Sequence, residues 1–403
     1  MQFQRSLDHF DSSPILLTFP SRGKEFQHLA ALRRGFENAC MDFPAQRRRS
    51  IRDNLGGQGP DALLVSSPVN VTYLTGFSGD SSSLLLTRDR ALLVSDSRFT
   101  TQISEECPGL DAAIRPPTKP LLGFLAECVG ALGVRSVGIE SDHLTVTEFE
   151  ALRHALPALQ WHAECNRVES LRAVKDEGEV AAIREAIAIA ERAFTVFCAL
   201  LRPEDREKDL HDAMEGYLRR AGGRCSSFPT IVAVGERAAL PHAPPSSKAV
   251  CEGDHLLVDW GASGRFYKSD LTRVLATRNI SAKLQGIYDI VLRAQAAAIR
   301  AVRPGVVAKD IDAEARAVIA QAGFGDFFGH GLGHGIGLEV HEAPSLRPTS
   351  EAVLQPGNVV TIEPGIYLHD WGGVRIEDDV LVTPDGCEVL THASKELTFI
   401  FEV

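Results

Sequence analysis

Residues 329–344 read GHGLGHGIGLEVHEAP, and the reading of this stretch decides how the rest of the chain is assembled. It places His330, His334 and His341 in a run where alternate positions from 329 to 337 are glycine. Glycine lets the backbone turn tightly and lie close to a bound group. His330 and His334 stand one helical turn apart, as in the HExxH motif of zinc proteases. That motif needs a helix, and Gly331 and Gly333 between the two histidines disfavour one. Alone, the stretch fits equally well a loop whose histidines only hydrogen-bond to backbone. The carboxylates on either side shift the balance.

Upstream, His255–Gly261 reads HLLVDWG, a buried strand ending in Asp259, and a turn at Ser263-Gly264-Arg265 leads back to KSDLTR with Asp270. Downstream, Val359–Gly365 reads VVTIEPG with Glu363, and a turn at His369–Gly373 leads back to Val374-Arg375-Ile376-Glu377. Each region carries two acids on paired strands. A buried carboxylate is costly unless it is paired or binds a metal, and four converging ones repel each other without a cation. Carboxylates with one imidazole suit Mn²⁺, Co²⁺ or Zn²⁺, and two such ions would activate a bridging water and polarise a carbonyl.

The two acid-bearing regions belong to a repeat. Arg202, Pro203, Lys208, Asp209, Leu210, Ala221 and Gly222 recur 101 residues later as Arg303, Pro304, Lys309, Asp310, Ile311, Ala322 and Gly323. Each copy ends one helix, turns at Arg-Pro, and runs a second helix to an Ala-Gly stop. Duplication accounts for this register, and it predicts two α-α-β units facing each other across a site. A long amphipathic helix with Val180, Ile183, Ile187, Ala190, Phe194 and Phe197 on one face opens the first unit.

Before a boundary at 165–174 the pattern is mixed. Strands are expected at 62–66, 83–87, 91–95 and 136–140, with the second and third forming a hairpin through Thr87–Arg90, and helices at 98–106 and 120–132. This order predicts a three-layer domain, and SSPVNVTYLTGFSGD (66–80) is expected to line part of a cleft. Residues 1–40 lack sustained periodicity and are read as a poorly structured extension, with Met41 as a candidate natural start. The chain has 403 residues, a net charge of −11, 44% hydrophobic and 24% charged residues. Those figures fit a globular protein of two domains and argue against nucleic-acid or membrane partners. Eight scattered cysteines with no C-x-x-C pair suit a reducing, cytoplasmic setting.

With VDWG, SDLTR, GHGIGLEVHE, IEPGIY and RIEDDVLVT in view, the chain from about residue 45 onward resembles the "pita-bread" superfamily of creatinase, prolidase, aminopeptidase P and methionine aminopeptidase. The resemblance implies an α+β protein. A creatinase-like three-layer α/β domain (41–168) precedes a pita-bread catalytic domain (169–403) with a pseudo-two-fold α-α-β repeat. It implies two divalent metal ions, Mn²⁺ before Co²⁺ or Zn²⁺, held by Asp259, Asp270, His334, Glu363 and Glu377. Asp270 and Glu377 would bridge the ions, Asp259 would hold one, and His334 and Glu363 the other. Glu363 would double as general base. His341 would stabilise the tetrahedral intermediate, and His242, His330 and His341 would contact substrate. Arg375 would support the acidic ligands. Creatinase keeps the fold without these ligands, so the intact set implies a hydrolytic metalloenzyme.

SSPVNVTYLTGFSG and ALLVSDSRF resemble the N-terminal domain of Xaa-Pro peptidases, which methionine aminopeptidases generally lack. The expected reaction is hydrolysis of the bond between an N-terminal residue and a following proline. The expected substrates are peptides with proline second, and a homodimer is expected. An aminopeptidase P is favoured slightly over a prolidase, which acts on dipeptides and needs a cap for the proline carboxylate. Arg265, Arg347 and Arg98 are candidates for that cap. A non-catalytic binding protein or a non-peptidase enzyme on the same scaffold would show altered ligands. The turn residues Trp260, Phe266 and Lys268 differ from the commonest family text, which bears on pocket shape.

Overall fold

Short strands that are buried at every position need cover on both faces, and this governs the first half of the computed structural model, which describes residues 43–57 and 59–401. The readings of residues 1–40 and of Met41 lie outside the described residues. The first half runs α1 (Phe43–Arg52), β1 (Ala62–Val65), α2 (Pro68–Thr75), β2 (Ser83–Thr87), β3 (Ala91–Asp96), α3 (Thr100–Glu106), β4 (Asp111–Arg115), α4 (Leu121–Ala131), β5 (Ser136–Glu140), α5 (Val146–Ala155) and β6 (Gln160–Glu164). The strands form one sheet in the order β4-β3-β2-β1-β5-β6.

Alternation along β1 assigns its side chains. Ala62 and Leu64 join Leu125, Val129 and Leu152 from α4 and α5 on one face. Leu63 and Val65 join Ile51, Val71, Leu74 and Ile103 from α1, α2 and α3 on the other. This is the three-layer domain expected. The expected strand at 62–66 ends at Val65, and a 3₁₀ turn over Ser97–Phe99, N-capped by Asp96, precedes α3. The segment 66–80 reaches a smaller cavity, where Ser67 lines the wall with Glu140 and Arg172. It forms α2 with Asn70 buried, and none of its residues lines the large cavity described below.

The second half starts with the short α6 (Glu169–Arg172). It continues through α7 (Glu177–Leu200), α8 (Glu207–Arg220), β7 (Cys225–Ser226), β8 (Ile231–Val234), β9 (His255–Trp260), β10 (Ala262–Ser263) and β11 (Leu271–Ala276). A second pair of helices, α9 (Ala282–Ala301) and α10 (Ala308–Gln321), leads to β12 (Gly333–Gly335), β13 (Glu342–Leu346), β14 (Val359–Ile362), β15 (Gly365–Leu368), β16 (Gly372–Arg375), β17 (Asp378–Thr383) and β18 (Gly386–Val389). The glycine-histidine stretch is thus extended at His334, as its glycines argued.

The duplication is visible in the pairing. One sheet runs β11-β9-β8, and the other contains β17-β14-β12 flanked by β18 and β13. In each, the middle strand leads into a site acid, Asp259 from β9 or Glu363 from β14. The sheets meet where Thr272 and Glu377 form a bridge. Helices α7 and α8 cover the first sheet and α9 and α10 the second. Trp260 points into this cover: its indole N–H donates to Ala190 O at 2.9 Å and its ring stacks on Phe194. Neither Trp260, Phe266 nor Lys268 lines the cavity, so their divergence does not shape it.

His255, at the start of β9, is 1% exposed and stacks on Trp371. Burial lowers its pKa from 6.5 to about 4. As pH falls below 6.5 the unfolded chain takes up a proton that the folded chain refuses until about 4. Stability should therefore drop by up to about 3 kcal/mol across that window. Unfolding midpoints between pH 7 and 4 should fall more steeply for the wild type than for His255→Leu; equal slopes would count against this.

Candidate active site

Five of the predicted residues reach one cavity from the two halves of the repeat. Asp259 lies at the end of β9, Asp270 just before β11, His334 within β12, Glu363 just after β14 and Glu377 just before β17. Two glycines make the approach possible. A Cβ on Gly261 would lie 1.9 Å from Ser269 O, so only glycine fits the turn between the two aspartates. A Cβ on Gly333 would lie 2.0 Å from Thr361 O, so only glycine lets β12 carry His334 so close to β14.

One ligand atom each from Asp270, His334 and Glu377 lies within 4.8 Å of the others. His334 Nε2 is 3.3 Å from Glu363 Oε1 and 3.8 Å from Asp270 Oδ2. Asp259 faces the same cavity but stands outside that tight group, with Oδ2 accepting a bond of 2.5 Å from Arg375 Nη2. Arg375 is thus paired with Asp259. Its Nε also donates to Thr272 Oγ1 at 3.0 Å, and Thr272 in turn donates to Glu377 Oε2 at 2.6 Å.

The cavity is about 970 Å³. His242 and His341 are exposed on its wall, and the His341 ring lies 4.2 Å from that of His334. His330 also lines it, but both its ring nitrogens are engaged, Nδ1 with Gly331 O at 2.8 Å and Nε2 with Tyr367 OH at 2.9 Å. It therefore offers a ring surface rather than a free donor. Pro241, Pro244, Pro245, Phe228 and Ile231 supply apolar wall. Of the three arginines considered as a cap, only Arg347 lines the cavity. Arg98 pairs with Asp96 at 2.8 Å, and Arg265 lies over Phe266.

The electrostatics fit a cation. Burial, then Glu377 and Asp259, push the Asp270 carboxyl well above the usual range. Burial, then Glu363 and Asp259, do the same to Glu377. Burial also raises Asp259 against the pull of Arg375, and its Oδ1 is buried without a hydrogen-bond partner. Glu363 moves the other way: burial raises it, but the hydrogen bond and charge of His334 carry it below its ordinary value. Carboxylates crowded in this way release their protons to solvent when a cation binds, and oxygen donors with one imidazole suit a divalent ion.

Sequence reasoning passed over several residues of this site. Tyr367 OH links His330 to Arg375 Nη1, which donates to it at 2.9 Å. Tyr367 stood in the quoted IEPGIY, four residues past Glu363, so its signal was present. Thr272 likewise stood in SDLTR. His211, from α8, lines the cavity with no motif to mark it.

The profile of metallopeptidase family M24 matches residues 181–384, and that of the creatinase/prolidase N-terminal domain matches residues 47–174. A solved Xaa-Pro dipeptidase from Bacillus anthracis superimposes with a TM-score of 0.83 at 37% identity, covering 88% of this chain and 99% of that one. An X-Pro aminopeptidase from Thermotoga maritima gives 0.81 at 34%, covering 87% and 99%. An Xaa-Pro dipeptidase of Pyrococcus horikoshii is 34% identical over 361 residues, 89% of this chain and all of the relative. A carboxylate-and-histidine site between duplicated halves and a full-length match to these peptidases agree: the chain belongs to metallopeptidase family M24.

Proposed function

We propose that the protein is an Xaa-Pro dipeptidase that hydrolyses the bond between an N-terminal residue and a C-terminal proline. The sequence favoured an aminopeptidase slightly; the similarity to dipeptidases and the state of Arg347 favour the alternative. Arg347 carries this reading. It is exposed on the cavity wall and has no ion-pair partner among the described residues, whereas Arg375, the other arginine there, is committed to Asp259. A free guanidinium suits the carboxylate of a terminal proline.

We further propose that Asp259, Asp270, His334, Glu363 and Glu377 hold two divalent ions, Mn²⁺ by preference with Co²⁺ or Zn²⁺ as substitutes. Such ions supply Lewis acidity toward water and the scissile carbonyl. Glu363 accepts the proton of the attacking water and returns it to the leaving amine. His341 and His242, both on the cavity wall, donate in this reading to the carbonyl oxygen as it gains charge. The proline ring packs on the ring faces of His330 and His242, and its tertiary amide leaves no N–H to satisfy. The seven described cysteines are all free thiols, which supports a cytoplasmic setting, and no described helix is long and apolar enough to cross a membrane. A homodimer, expected by family resemblance, is tested by sedimentation equilibrium.

The deciding test compares Ala-Pro with Ala-Pro-Ala. A dipeptidase cuts the first and leaves the second nearly untouched; comparable cleavage of both would restore the aminopeptidase reading. In Arg347→Ala the KM for Ala-Pro should rise about 10- to 100-fold with kcat little changed, the expected value of a charged hydrogen bond to substrate. An unchanged KM would remove Arg347 from the site.

A further inference from the structure

None of the described residues lining the cavity precedes His211, yet a buried ion cluster runs from the start of the second half of the chain to the residue beside His341. Arg172, at the end of α6, and Lys175, just after it, both grip Glu342. Lys175 Nζ lies 3.2 Å from Glu342 Oε2, and Arg172 Nη2 pairs with Glu342 Oε1. The three side chains are 5% exposed or less. Arg172 Nη2 also holds Glu339 at 2.7 Å, and Glu342 Oε1 accepts the backbone N–H of Glu339 at 2.9 Å. Glu342 thereby closes both ends of the short loop 339–342 that carries His341. Gly337 lies against that carboxylate: a Cβ there would come within 2.7 Å of Glu342 Oε2.

The grip continues backwards. Arg172 Nη1 donates to Asn70 Oδ1 at 2.9 Å, and Asn70, fully buried on α2, donates to Glu140 Oε1 at the end of β5 at 2.6 Å. The backbone is tied in parallel, with Lys175 N donating to Gly357 O at 2.8 Å and Asn358 Nδ2 to Ala173 O at 2.7 Å.

We propose that Arg172 and Lys175 are positioning residues for the peptidase reaction, fixing His341 against the ligand side chains through the carboxylate of Glu342. The inference rests on the function proposed above. Two buried cations share the buried carboxylate of Glu342 and hold it by both oxygens. Loss of one partner leaves a buried charge that must rearrange, and the loop bearing His341 is what is free to move.

The test is a double-mutant cycle read as kcat on Ala-Pro with metal content measured in each protein. Lys175→Met should lower kcat about tenfold in the wild-type background and less than about twofold in a His341→Ala background. A merely structural role, acting through the active fraction, would lower both by the same factor, and equal factors overturn the proposal. Arg172→Lys, which keeps the charge, carries the same comparison if Lys175→Met accumulates unfolded. Should His341→Ala alone leave kcat unchanged, the positioning role falls with it. Absence of Ala-Pro hydrolysis in the parent would instead strike the peptidase reading itself.

Discussion

Glu363→Gln should lower kcat on Ala-Pro, per metal-loaded protein, by about 10³-fold, within the range of general acid–base catalysis, while the protein stays folded. Glutamine keeps an oxygen of the same reach but cannot take a proton. Glu363 is the acid proposed as the base; its carboxyl lies on the cavity wall 3.3 Å from His334 Nε2. Steady-state kinetics with metal analysis checks this. A loss below tenfold at full metal content would assign the base elsewhere.

Asp270→Asn should separate the two costs of the site. In the metal-stripped protein the substitution removes a buried acid that is pushed up by burial and by Glu377 and Asp259. The stripped variant should accordingly be at least as stable as the stripped wild type. Adding Mn²⁺ at about a thousandfold excess over its Kd should stabilise the wild type by about 4 kcal/mol. The variant should gain little, because one of the three converging ligands is lost. Calorimetric midpoints with and without ion decide it. An equal rise in both proteins would show that the ion binds elsewhere.

Much of this site could be read before any coordinate was known, and the reason is physical. Its acids sit in strands that are otherwise apolar, such as HLLVDW and VVTIE, where an ionisable side chain stands out against the expected burial. The 101-residue repeat located the two sheets because each Arg-Pro turn and Ala-Gly stop leaves a mark in one dimension. Contacts made across the fold left no such mark. Tyr367 between His330 and Arg375, and Thr272 between Arg375 and Glu377, depend on which strands lie side by side. The choice of Arg347 over Arg98 and Arg265 needed the cavity. Strands β4 and β6 were passed over because their exposed residues lack an apolar run. Helix α5 was missed even though Thr145 and Glu148 form a capping box, a signal available in the text.

The claim that a metal-loaded carboxylate cluster hydrolyses Xaa-Pro bonds is tested most directly by stripping the protein with chelator and following Ala-Pro hydrolysis as Mn²⁺ is returned. The predicted result is no activity without metal and a rise that levels off at two equivalents of bound ion. Tight binding of Mn²⁺, Co²⁺ or Zn²⁺ with no cleavage of Ala-Pro under any of them would contradict it.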